Sequence, residues 1–200
     1  ELVVCAGGKL AANTASDEVF LVYVERSGDV RVAARVPRLD TASSSVGVAL
    51  RGSFDPGAPY AAMLLELQLG RVRYRFRYRT EPGVTSRSVP GLLLAEPAAW
   101  LRLERRGSVF TGLASRDGVE WTTVAEQTIE AMPAAVLAGL SASGSDPGVD
   151  QPFTPPEVRV SSLEAGPILV EPTFRRGDAN DDGQVDVSDG IFTLNYLFSG

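Results

Sequence analysis

The sequence predicts an all-β fold, an antiparallel jelly-roll β-sandwich, followed by a short C-terminal calcium loop plus helix. Three observations predict it. Between Arg71 and Thr80 arginines alternate with Val72, Tyr74, Phe76 and Tyr78, a period of two that places the two residue types on opposite faces of a strand. About ten short strand-like runs recur between Gly- and Pro-rich turns, with no helical periodicity before residue 188. Finally, Asp178-Ala-Asn-Asp-Asp-Gly-Gln-Val-Asp-Val-Ser-Asp189 sets oxygen-bearing side chains at the spacing of a calcium loop.

In chain order, Leu2–Cys5 starts as a strand and Gly7-Gly8 turns it. Val19–Val24 and Val30–Val36 flank Ser27-Gly28-Asp29 and read as a hairpin. Val46–Leu50 is a further strand, and Phe54–Pro59 is a loop with Pro-Gly as its turn signal. Tyr60–Leu69 and Arg71–Thr80 form the clearest hairpin, joined around Gly70. Trp100–Glu104 repeats the alternation, Arg106-Gly107 turns into Ser108–Ala114, and Asp117-Gly118 is a strong hairpin signal before Glu120–Val124. Met132-Pro133 interrupts; Ala135–Ser141 and Glu157–Leu163 are the last strands. An immunoglobulin-like sandwich needs only seven strands, so the larger number favours a jelly roll. The reading is one sandwich over 1–165, a linker over 166–173 and a small module over 174–200.

Composition excludes several chemistries. With no histidine, a Ser-His-Asp triad, a Cys-His pair and histidine-ligated zinc are all ruled out. The single cysteine, Cys5, makes no internal disulfide. A net charge of −6 argues against nucleic acid, and no apolar run approaches the length of a membrane span. The start at Glu1 and the calcium chemistry lead us to expect a fragment of a longer, exported protein, extracellular or at the cell surface.

In the calcium loop Asp178, Asn180 and Asp182 converge, and Gly183 sits at the sharp turn. Gln184 gives its backbone carbonyl, Asp186 acts directly or through water, and Asp189 closes the loop where glutamate is usual. Five aspartates in twelve residues repel one another unless Ca2+ holds them. Ser188 caps an exit helix whose Ile191, Leu194 and Leu197 or Phe198 share one face. Pro167, Pro172 and Gly177 leave no room for an entering helix. A loop with only an exit helix and Asp at the last position resembles one repeat of a type I dockerin, over residues 174–199. The resemblance implies docking to a cohesin-like protein, or onto an intramolecular surface, through Val187, Ser188, Ile191 and Leu194. Dockerins carry two such repeats, so the module is expected to be truncated.

A second resemblance rests on Arg71–Arg79, Trp100-Leu-Arg-Leu-Glu-Arg-Arg-Gly107, Phe110-Thr-Gly112, Ser115-Arg-Asp-Gly-Val-Glu-Trp121 and Ala138-Gly-Leu140. These look like the concanavalin A-like, laminin-G-like jelly rolls that occur as non-catalytic modules of secreted proteins. That family's opening strand would lie at or before residue 1. Arg71, Arg73, Arg75, Arg77 and Arg79, about 7 Å apart along the strand, form a candidate platform for an anionic polysaccharide. The competing reading is a solvated face neutralised by Glu66 and Glu104. Trp100 and Trp121 read as core residues or as sugar platforms. Ser115–Trp121 approximates a sialidase Asp-box turn one residue short. Asp17-Glu18 reads as a charged strand entrance or a second calcium site. No paired glutamates of the kind glucanases use stand on any strand; Glu126 and Glu130, four apart, lie near a proline. The expectation is therefore no enzyme, but a carbohydrate-binding jelly roll joined to a calcium-dependent assembly repeat. The alternative is an accessory fragment of a larger polysaccharide-degrading enzyme.

Overall fold

The computed structural model describes residues 2–5, 10, 13–39, 45–68, 71–93, 99–143 and 157–168. The chain divides into two compact units, Glu1–Ile168 and Leu169–Gly200. The whole second unit lies outside the described residues, and with it the predicted calcium loop and exit helix.

The first unit is built of antiparallel strands: β1 Leu2–Cys5, β2 Phe20–Ser27, β3 Val30–Val36, β4 Arg38–Leu39, β5 Ser45–Arg51, β6 Tyr60–Gln68 and β7 Arg71–Arg79. They continue as β8 Arg87–Leu93, β9 Ala99–Arg106, β10 Val109–Ser115, β11 Thr122–Thr128, β12 Ala135–Ser143, β13 Glu157–Val160 and β14 Ser162–Pro167. Six form one sheet in the order β2-β12-β5-β6-β7-β8, and five form the other in the order β11-β10-β9-β3-β14. A small third sheet runs β1-β13-β4. The two large sheets stack as a β-sandwich. Among the described residues, no helix is long and apolar enough to cross a membrane.

The alternation seen in the sequence fixes the core. From the six-stranded sheet Val46, Val48 and Leu50, Met63 and Leu65, Tyr74, Phe76 and Tyr78, and Val136 and Leu140 point inward. They meet Val30, Val32 and Val36, Leu101 and Leu103, and Phe110 from the five-stranded sheet. Phe76 is fully buried and tilts against Tyr78 with ring centroids 5.8 Å apart.

One expectation is corrected. The runs on either side of Ser27-Gly28-Asp29 do not form a hairpin. β2 pairs with β12, whereas β3 pairs with β9 and β14 in the opposite sheet. Residues 27–30 arch from one sheet to the other: β3 buries Val30, Val32, Ala34 and Val36 in the core, whereas β2 is a largely exposed edge strand beside β12. The first unit also runs slightly past the expected boundary, with β14 continuing to Pro167 beside Val30.

Phe76→Ala should cost about 3–5 kcal/mol of stability, because a core packed from both sheets relaxes only partly into the void. Urea unfolding of the two proteins measures it.

Candidate functional site

The arginine row stands on the outer face of β7, opposite the core aromatics, and this face is not open to solvent along its length. Arg75 Nε lies 2.9 Å from Glu66 Oε2, and Arg77 donates to the other oxygen of Glu66. Arg79 is fully buried. Its guanidinium grips Asp17, and it also donates to the backbone carbonyls of Thr14, Pro56, Ala58 and Val84 at 2.9–3.2 Å. Arg51 joins the same carboxylate. Arg77 and Arg79 are therefore structural clamps, not part of a glycan platform. Arg73 and Arg75 are partly buried, and the side chain of Arg71 is outside the described set.

Asp17 arrives on a segment that crosses this face. Its backbone N–H donates to Pro56, and Asn13 and Thr14 exchange hydrogen bonds with Ser86. Leu10, Val19 and Leu21 pack there against Tyr60, Ala62 and Leu64, a second, smaller core outside the sandwich. Arg51 and Arg79 stack over the Tyr60 ring at 5.6 and 5.3 Å. Burial, reinforced by the negative charge of Asp17, pushes the Tyr60 phenol up to about 12. With both guanidinium groups on its carboxylate, Asp17 has no free oxygen set to offer a second calcium. Among the described residues no group of three or more metal-binding side chains assembles.

The outer face of the five-stranded sheet carries the two tryptophans. Neither is core: both are partly exposed and stacked on guanidinium groups, Arg35 over Trp100 at 5.9 Å and Arg102 over Trp121 at 3.7 Å. Strand register explains the first pair, since Arg35 stands directly opposite Trp100. Burial, with help from Arg31, lowers the pKa of Arg102. Glu104 neutralises this face, lying within 3.0–3.8 Å of Arg31, Arg102 and Arg106.

The turn Ser115–Trp121 folds on itself. The Asp117 carboxylate accepts the N–H groups of Val119 and Glu120 at 2.8 and 2.9 Å and the Ser115 hydroxyl at 2.9 Å. Those bonds, Val119 foremost, hold its carboxyl below the usual range. Gly118 has φ +82°, and a Cβ there would stand 2.8 Å from the Trp100 ring. Trp121 Nε1 donates to the Gly118 carbonyl.

Beside this turn the sandwich gapes. A cleft of about 760 Å³ lies between the edge strands β8 and β11, lined by Tyr74, Pro90, Gly91, Ala114 to Asp117, Glu120 and Thr122 to Val124. Each edge strand carries an irregularity at this point. The β7–β8 register shifts between Arg73 and Arg75, and the β10–β11 register shifts between Gly112 and Leu113. One extra residue thus enters β8 next to Gly91, and one enters β11 at Val124. A Cβ on Gly91 would stand 3.0 Å from Val124 Cγ1 and 2.8 Å from Tyr74 Cβ, so the paired bulges approach as closely as glycine permits. The sequence reading assigned no strand to 87–93, since Pro90-Gly91 reads as punctuation; both residues are tolerated because β8 is an edge.

The predicted metal ligands Asp178, Asn180, Asp182, Gln184, Asp186 and Asp189, and the predicted docking residues Val187, Ser188, Ile191 and Leu194, lie outside the described residues.

Neither a known family profile nor a characterised protein matches the chain in sequence. Solved structures do match its fold. A functionally unknown protein from Saccharomyces cerevisiae aligns with a TM-score of 0.64 at 16% identity, over 84% of this chain and 88% of that one. Xylan β-1,4-xylosidase from Bacillus halodurans aligns with a TM-score of 0.64 at 12% identity, over 82% of this chain and 32% of that one. An engineered GH43 glycoside hydrolase with endo-xylanase and exo-arabinofuranosidase activity aligns with a TM-score of 0.58 at 13% identity, over 84% of this chain and 34% of that one. The chain thus spans about a third of the length of the two hydrolases.

Asp17→Ala should destabilise the sandwich by about 3–5 kcal/mol, since it leaves the buried Arg79 charge without a partner; chemical denaturation reads this. Asp117→Ala should weaken the turn in a pH-dependent way. A carboxyl with a depressed folded pKa stabilises above its unfolded pKa of about 3.9 and ceases to do so as pH falls through the folded value. The melting-temperature gap between wild type and D117A should therefore be full at pH 7 and shrink below about pH 4.

Proposed function

We propose that the chain is a non-catalytic, secreted or cell-surface protein. Its concanavalin A-like jelly-roll sandwich binds carbohydrate, and its C-terminal dockerin-like repeat, organised by Ca2+, attaches it to a cohesin-like partner. The observation that carries the binding role is the polar-rimmed cleft, on a sandwich in which three carboxylates are taken up by arginines. Asp17, Glu66 and Glu104 are each engaged by two or more arginines. A glycosidase needs two carboxyl groups flanking one bond, and residues held this way are not free to flank it. The fold likeness to glycoside hydrolases at the 12–13% level supports a carbohydrate setting without transferring their reactions.

The second reading, an accessory fragment of a larger polysaccharide-degrading enzyme, is favoured by the chain matching only 32–34% of those hydrolases. An anionic polysaccharide on the arginine row is retained only for Arg71, Arg73 and Arg75.

The calcium repeat is tested by calorimetry of the chain with CaCl2. We expect one binding event, abolished by Asp178→Ala combined with Asp182→Ala, while the sandwich keeps its melting temperature. An identical titration for wild type and the double variant overturns the calcium assignment.

A further inference from the structure

We propose that the cleft between β8 and β11 binds an uncharged saccharide, held by Arg116 and Glu120 over an apolar floor. The proposal rests on the carbohydrate reading above and adds the place, the ligand class and the gripping residues.

The shape is the first argument. About 760 Å³ falls within the 300–1,000 Å³ usual for small-ligand pockets, and bulges on two facing edge strands flank it. Bulges recur beside binding sites because they re-aim a strand without unfolding it. The floor is the second argument. Tyr74, Pro90, Ala114 and Val124 offer apolar surface, and the Tyr74 hydroxyl is already committed to the Ser115 carbonyl at 3.3 Å. The C–H face of a sugar ring suits such a floor.

The rim decides the ligand's charge. Arg116 and Glu120 are exposed, and among the described residues neither side chain forms an ion pair or hydrogen bond. The Asp117 carboxylate is consumed by its own turn. One free guanidinium supplies donors only and one free carboxylate acceptors only, whereas a sugar hydroxyl offers both. Adjacent hydroxyls can therefore accept from Arg116 and donate to Glu120. Arg116, Asp117 and Glu120 together carry a net −1, which disfavours a uronate or sulfated sugar.

The test is calorimetry of the whole chain with neutral xylo-, cello- and manno-oligosaccharides and with oligogalacturonate. We expect a neutral oligosaccharide to bind, oligogalacturonate to bind at least about tenfold more weakly, and R116A and E120Q each to weaken the neutral ligand about tenfold. Both positions are exposed, so unchanged melting temperatures should accompany the loss. Tighter binding of oligogalacturonate, lost in R116A, overturns the uncharged ligand. Neutral binding unaffected by either variant overturns the cleft while leaving the carbohydrate reading intact. No binding of any oligosaccharide overturns both.

Discussion

The buried Arg79–Asp17 pair is the constraint around which one side of this sandwich is arranged. An arginine at the end of a core strand, with no exposed surface, must have nearly every N–H satisfied or it would destabilise the fold outright. Asp17 satisfies part of that demand, and backbone carbonyls from residues 14, 56, 58 and 84 satisfy the rest. Three separate segments are thereby tied to β7. The same pair recruits Arg51 and fixes Tyr60 beneath both guanidinium groups, so a polar network and a small apolar cluster stabilise each other.

Both sheets balance their arginines with carboxylates and aromatic faces, drawn from different elements. On the six-stranded sheet, cations are neutralised by carboxylates from a neighbouring strand and from the crossing segment. On the five-stranded sheet, Glu104 serves three arginines, and tryptophan faces take two guanidinium groups. Cation–π stacking adds to these pairings without a further countercharge. Arg116 and Glu120, exposed beside the paired bulges, take no part in these networks.

Much of the fold was legible in the sequence because side-chain period is a local property. Alternation placed Tyr74, Phe76 and Tyr78 in the core, and Asp117-Gly118 marked its turn. Partner choice was not legible. The turn at Ser27-Gly28-Asp29 has hairpin chemistry, yet the chain crosses between sheets there. Trp100 and Trp121 have the hydrophobicity of core residues, yet register sets Trp100 beside Arg35 and the turn sets Trp121 on Arg102. The cleft was missed because a bulge is one extra residue between two paired strands, and a single strand's sequence does not record its partner's length.

The sequence by itself determined which faces are apolar, which chemistries the absence of histidine forbids, and the carboxylate spacing near the C-terminus from which calcium is inferred. Tertiary structure alone decided that the arginine row is largely spent on Asp17 and Glu66, and that Arg116 and Glu120 come to rim a cleft at the edge between the sheets. The reason is distance: charge pairing and strand register join residues as far apart as 17 and 79, and no local pattern carries that information.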